Sequence, residues 1–323
     1  MTILADIRTK PWQWHRPATG FAFAMAGAAV LCVLGLFADQ RTLAGAPIWA
    51  KPLKFAISGA LYFFTWSWLV SLLPRFRRTA WWVTTVLVAL FAGEYVLLTM
   101  QAIRGTASHF NRATPFDAQV FNAMAIMVAA LFVATLILTV LLTFSRQRDR
   151  GTFWAVRFGG VISLAGLALG QLMTSPTPEQ LALAHAGIRP DMRGGHTVGL
   201  ADGGPGLPIL GWSTAGGDLR IPHFVGMHAL QLLPLLALGL LALAKRFPVL
   251  ADGAVRARLV LAGSAGYAGL VALVTWQAER GQSIVRPDGL TLLAFGALVL
   301  AVTLGALAAI GRPAKRAQLG TAV

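Results

Sequence analysis

The residues best equipped for chemistry are a carboxylate, two lysines and four histidines. Glu94 lies eight residues before the end of a long apolar run, about 12 Å deep at 1.5 Å per helical residue. An ionisable side chain at that depth is a functional-site candidate whose partner has to be named. The candidates are Lys54 and Lys51, one turn apart near the start of the preceding apolar run. Ser58 and Tyr62 continue the Lys54 face at i+4 and i+8. Lys54 and Glu94 are therefore read as the catalytic pair, with Glu94 able to act as proton carrier, general base or metal ligand. His109, His196, His223 and His228 are expected on the same side of the chain's architecture. Imidazole is the commonest metal ligand, so the four make a candidate metal or haem set. His223 and His228 are five residues apart, about 500° around a helix, so their rings diverge by about 140° on a regular one. No H-E-x-x-H, Gly-Lys-Ser/Thr phosphate loop or G-x-S-x-G element is present.

The elements that must position these residues are membrane helices. The chain has 323 residues, 56% hydrophobic and 12% charged, with mean hydropathy +0.67. A soluble domain carries about 25% charged residues, so that class is excluded. Eight runs reach the roughly 20 apolar residues needed to cross a bilayer, near 20–38, 49–73, 80–102, 119–144, 153–174, 222–244, 257–278 and 289–311. The first is too long for a signal-peptide core and is read as a retained helix.

The net charge of +15 falls in short clusters between these runs, which is a topology signal and excludes a nucleic-acid partner. Arg8, Lys10, Arg16; Arg75, Arg77, Arg78; Arg146, Arg148, Arg150; Lys245, Arg246, Arg256, Arg258; and Arg312, Lys315, Arg316 all fall on one side. That places both termini in the cytoplasm of a plasma-membrane protein. The opposite loops hold Asp39, Asp117, Asp202, Asp218, Asp288 and the histidines, so the chemistry is expected at the outer face. The single cysteine, Cys32, excludes an internal disulfide and a cysteine zinc site.

The chain also matches itself at an offset of 176. Ala92-Gly-x-x-x-Leu97-x-Thr99-x-Gln101-Ala-x-Arg104-Gly105 aligns with Ala268-Gly-x-x-x-Leu273-x-Thr275-x-Gln277-Ala-x-Arg280-Gly281, eight identities in fourteen positions. Four spans separate the copies, so the expected fold is all-α, two parallel four-helix repeats, 1–150 and 151–323. The glycines are placed as helix caps. Gln101, Arg104, Gln277 and Arg280, with Lys51, Asp202 and Gln231, are candidate ligand-binding residues for a small molecule or lipid at the outer face. The loop 175–221 separates the halves. Thr177-Pro-Glu-Gln180 predicts a capped helix over 178–186 ended by Gly187, and the Gly/Pro-rich remainder predicts a folded, extracytoplasmic cap.

Three strings, Trp49-Ala-Lys51-Pro-Leu-Lys54-Phe, Arg104-Gly-Thr-Ala-Ser-His109-Phe-Asn and His223-Phe-Val-Gly-Met-His228-Ala-Leu-Gln, resemble an uncharacterised family of polytopic membrane proteins common in actinobacteria. The resemblance implies a multi-pass membrane chain and brings no activity with it. Architecturally the eight-span, two-half plan is also similar to haem A synthases. Those proteins place paired histidines on facing helices, which the first half here lacks. Three functions follow as expectations: an outward-facing metal- or haem-dependent membrane enzyme or oxidoreductase, a transporter or small-solute or lipid-binding protein, and a non-catalytic assembly or sensor subunit. Membrane lipid is the one expected partner, and oligomeric state is left open.

Overall fold

A computed structural model describes residues 14–145 and 149–311. Arg8, Lys10, Arg146, Arg148, Arg312, Lys315 and Arg316, which entered the charge argument, lie outside the described residues. Among the described residues seven helices are long and apolar enough to cross a membrane, and eight if one bent pair is a single span.

The long helices are α1 (Arg16–Ala38), α2 (Ala50–Ser71), α3 (Arg77–Ile103), α4 (Pro115–Thr143) and α5 (Arg150–Leu169). A short hairpin, β1 (Thr42–Leu43) with β2 (Ala46–Pro47), joins α1 to α2. Its two turn residues, Ala44 and Gly45, both have positive φ, as a two-residue hairpin demands. The starts of α1 and α4 each fall four residues before the expected ones because capping extends a helix beyond its apolar run. Thr114 caps α4 with Pro115 in the first turn, and the His15 Nδ1 accepts from Ala18 N at 3.1 Å to start α1 at Arg16.

After α5 come α6 (Pro178–His185), the ribbon of β3 (Thr197–Val198) with β4 (Gly217–Asp218), the bent pair α7 (Arg220–Met227) and α8 (Ala229–Leu243), then α9 (Gly253–Glu279) and α10 (Gly289–Gly311). Both halves of the Thr177–Gln180 capping box are made. The α7–α8 bend of 42° falls at His228. There the backbone tightens to i→i+3 bonds, with His228 N to Val225 O at 3.2 Å and Gln231 N to His228 O at 3.1 Å. Pro234, six residues on, has no N–H for the Leu230 carbonyl. The pair can bend against α5 because a Cβ on Gly166 would overlap the Gly226–Met227 peptide.

Phe63, Trp66 and Leu69 of α2, Leu87 of α3, Leu138 and Leu142 of α4, Val156 of α5 and Leu230 of α8 are buried in one cluster. Lipid tails are as apolar as these side chains, so the cluster holds by close packing rather than by exclusion from water. By contrast α10 buries only Thr291 and Ala309 and is apolar all round, as a lipid-facing helix is.

The 175–219 segment is strapped over one end of the bundle by backbone bonds. Arg112 N reaches Asp191 O at 2.7 Å, Arg193 N reaches Phe110 O at 2.9 Å, Gly195 N reaches Met173 O at 2.9 Å and Leu219 N reaches His196 O at 2.9 Å. A Cβ on Gly217 would overlap the Ala278 carbonyl, which seats the ribbon on the end of α9.

Candidate functional site

Glu94 is 4% exposed in α3. Among the described residues nothing donates a hydrogen bond to its carboxylate. Its Oε1 lies 3.8 Å from His109 Nε2. His109 comes from the loop after α3, packed against Phe55 and Phe110. Its other nitrogen, Nδ1, lies 3.1 Å from Lys51 Nζ and 3.0 Å from Ser108 Oγ.

An ammonium can only donate, so Nδ1 is an acceptor, and the proton of the neutral ring sits on Nε2, facing Glu94. Burial, aided by the charges of Lys51, His196 and His223, holds the His109 imidazole well below its ordinary pKa, which keeps the ring neutral as this assignment requires. Lys51, His109 and Glu94 thus form one line, ammonium to imidazole to carboxylate.

Lys54 does not pair with Glu94. Its Nζ donates to the Leu210 carbonyl at 2.6 Å, because the 205–218 turn folds down onto the start of α2. The same turn holds Arg220, whose Nη2 donates to Gly211 O at 2.5 Å and which grips Asp218 at 2.9 Å through Nε and 2.6 Å through Nη2. Asp218 is buried and also accepts from Ser213 N at 2.7 Å. Lys51 is within electrostatic reach of Lys54, Arg220, Glu94 and Asp202. Lys54 and Arg220 therefore meet at Gly211, beside Asp218, and Lys51 stands between them and Glu94.

The histidines are brought to this end but are oriented for separate tasks. His196 Nδ1 lies 2.8 Å from Asp202 Oδ2, and Asp202 also accepts from His196 N and from Thr197 N at 2.8 Å. Burial lowers the His196 pKa and Asp202 opposes it, with a net downward shift. Burial pushes Asp202 up, but its bonds to His196 and to the two N–H groups outweigh that and hold it below the usual carboxylate range. With Nδ1–H held by Asp202, His196 Nε2 is left with a free lone pair. Its ring stands edge-on to Phe110 at 5.2 Å.

His223 Nδ1 lies 2.8 Å from the Gly166 carbonyl, with Gly170 leaving room for the ring. His228, at the bend, has Nδ1 3.3 Å from Gln231 Oε1 and its ring against Phe224. Among the described residues no three His, Cys, Asp or Glu side chains stand close enough to hold a metal ion. Among the described residues the four histidines do not assemble as a metal-ion set, and each Nδ1 has a different partner.

Gln101 and Arg104 converge on Asp117 of α4. Gln101 Nε2 donates to Asp117 Oδ1 at 2.9 Å, Arg104 Nη1 donates to the same oxygen at 2.7 Å, and Arg104 also bonds Gln101 Oε1. Gln277 donates to Ser283 O at 3.0 Å, and Arg280 bonds Asp288 at the start of α10. Both glycine caps close the same way. Thr106 N bonds Gln101 O and Gln282 N bonds Gln277 O, with Gly105 at φ 71° and Gly281 at φ 68°. Gln101, Arg104 and Arg280 tie their helices to the next one and Gln277 holds the following loop; among the described residues none of the four bonds to Lys51, His109 or Glu94.

Arg220 and Ser108 are not among the expected site residues, and Asp218 is expected only as one of the outer-loop acids. Gly-Asp218-Leu-Arg220 carried a signal in its i, i+2 charge pair directly before a helix, and Ser108 in its place beside His109. The Leu210 carbonyl carried none. All three strings behind the family resemblance meet at this end: Lys51 and Lys54, Ser108 and His109, His223 and His228. Comparison with protein-family models, with curated proteins and with solved structures returns no match for the chain.

Proposed function

We propose that this is a polytopic membrane enzyme whose loop-capped end binds an anionic group and carries out acid–base chemistry on it. The observation that carries the reading is the convergence of Lys54 and Arg220 at Gly211 with Lys51 within their reach, next to Glu94, a buried carboxylate that accepts no hydrogen bond among the described residues. Charge-assisted bonds from lysine and arginine are the strong recognisers of carboxylate and phosphate. His196, oriented through Nδ1 by Asp202, has the base-plus-orienter geometry of a general base, and Glu94 with His109 provides a place to hold a proton.

The arrangement of the chain supports eight spans with both termini cytoplasmic and this site facing outward, given the side on which Lys and Arg cluster. Duplication of a four-helix unit is supported by the helix order of contacts. In the first half α1 packs on α2 and α3 packs on α4, and in the second α5 packs on the α7–α8 pair and α9 packs on α10. A site served from one end fits better than transport, since Phe63, Trp66, Leu69 and Leu138 close the bundle with apolar side chains.

The test uses octyl phosphate as the anionic probe and octyl glucoside as the neutral one, followed by thermal unfolding of the purified chain. Octyl phosphate should stabilise selectively, and Lys54→Gln should weaken it about tenfold or more, as loss of a charge-assisted bond worth roughly 1.5–3 kcal/mol requires. Equal stabilisation by both probes, or an unchanged response in Lys54→Gln and Arg220→Gln, would sink the reading.

A further inference from the structure

A second charged recess lies at the other end of the bundle, away from every residue of the site above. It is a groove of about 460 Å³ lined by Arg150, Phe153, Trp154, Ala254, Ala257 and Arg258, within the size range of small-molecule sites, roughly 300–1,000 Å³. We propose that it binds the phosphate of an anionic phospholipid such as phosphatidylglycerol.

The charge on its walls is positive. Arg150 opens α5 and is exposed. Arg258 is fixed in place by donating to the Ala309 carbonyl through Nε at 3.2 Å and Nη2 at 3.0 Å, which makes its guanidinium a stationary wall. Two acids lie nearby, and both are held as helix caps. Asp149 is a buried helix cap paired to Arg256 at 2.5 and 3.0 Å. Asp252 caps Ala254 N at 2.8 Å through Oδ1, and its Oδ2 is shielded from solvent.

The first turns of α5 and α9 both start here, and the positive ends of their dipoles add to the two guanidinium groups. The level is right for a headgroup, because Arg150 and Gly253 mark the ends of two candidate spans. The remaining wall is amphipathic aromatic surface. Trp154 is partly exposed and stacks on Phe158 at 5.7 Å and 29°, the kind of ring that lies at the boundary between headgroup and acyl chain. Basic recesses between membrane helices are the chemistry that recognises anionic headgroups. A free anion would use the two arginines and leave this aromatic wall without a role.

The experiment is native mass spectrometry of the full, delipidated chain titrated with dioleoylphosphatidylglycerol or dioleoylphosphatidylcholine. Phosphatidylglycerol should bind in preference. Arg150→Gln should weaken it about fivefold, the worth of one basic residue near a membrane surface. Ala254→Trp, which fills the groove and keeps both arginines, should abolish the preference. Circular dichroism identifies which variants fold, and either substitution alone is decisive. Equal binding of the two lipids, a preference untouched in a folded Arg150→Gln or Ala254→Trp chain, or displacement by inorganic phosphate at equal concentration would overturn the proposal.

Discussion

The ends of α3 and α9 allow a comparison within one chain. Both run Gln-Ala-x-Arg-Gly, both close with a left-handed glycine, and in both the glutamine amide donates to a carbonyl six residues on: Gln101 to Ala107 at 3.4 Å and Gln277 to Ser283 at 3.0 Å. The ionisable residues around them differ. At the same offset where α3 has Glu94, α9 has Leu270, and where the following loop has His109, the second has Val285. The motif that repeats is the one that ends a helix and ties it to the next. The residues positioned for chemistry occur in one copy only. Repetition here marks structure, and departure from it marks the candidate site.

The largest expected effect comes from breaking the line that has no counterpart in α9. Lys51→Met removes the ammonium that faces Glu94 through His109 and should destabilise the chain by about 3–5 kcal/mol, the usual cost of stranding one member of a buried charged set. Lys51→Met combined with Glu94→Gln should recover most of that loss, because no charge is then left alone. Thermal unfolding in detergent of the two single variants and the double variant reads the coupling. Strict additivity would show that Lys51 and Glu94 do not act together. Lys54→Met should cost less, since its hydrogen bond is to the Leu210 carbonyl and can be lost without stranding Glu94.

A smaller effect should separate the two caps. Gln101→Leu takes a donor from the buried Asp117 and an acceptor from Arg104, so about 3 kcal/mol is expected, at the upper end for unsatisfied buried groups. Gln277→Leu frees only the Ser283 carbonyl and should cost about 1 kcal/mol. Equal shifts in unfolding temperature would mean that the acidic partner in α4 adds nothing and that the two caps are equivalent in energy as well as in shape.

What could be read before any coordinates follows from the range of the interactions concerned. Helix ends are local: Thr177 with Gln180, Gly105 after Arg104 and Gly281 after Arg280 each announce themselves within four residues. The spans are legible because a bilayer demands a long apolar run, although the starts at Arg16 and Pro115 needed their caps to be recognised. The presence of Glu94, Lys51 and the histidines at one end was also legible. Their pairing was not. Lys54 finds Leu210 at a sequence separation of 156, and His223 finds the Gly166 carbonyl. Backbone carbonyls have no residue type, so a search by side-chain chemistry assigns the lysine to the nearest acid and the histidine to a metal.

The smallest effect concerns acid, and its sign follows from the side on which each group is shifted. His109 and His196 both have folded-state values below that of an exposed histidine, about 6.5. Below that pH the unfolded chain takes up protons that the folded one refuses, so each ring stabilises the fold above about 6.5 and loses that contribution as the pH falls toward its folded value. The loss is at most about 1.4 kcal/mol per pH unit for each ring. Asp202 is shifted down from the carboxylate range, so its contribution is retained until the pH falls below about 4. Between pH 7.5 and 5.5 each ring should therefore contribute a decline in stability with acid, and His109→Gln should remove one ring's share of the slope. The α9 end has no histidine at the position of His109, where Val285 stands, so hydrogen-exchange protection at the Gly281 cap, taken relative to the intrinsic rate at each pH, should stay flat over this range while protection at the loop of His109 falls. Parallel loss of protection at both ends would mean that acid loosens the bundle as a whole, and the contrast between the two helix ends would lose its electrostatic basis.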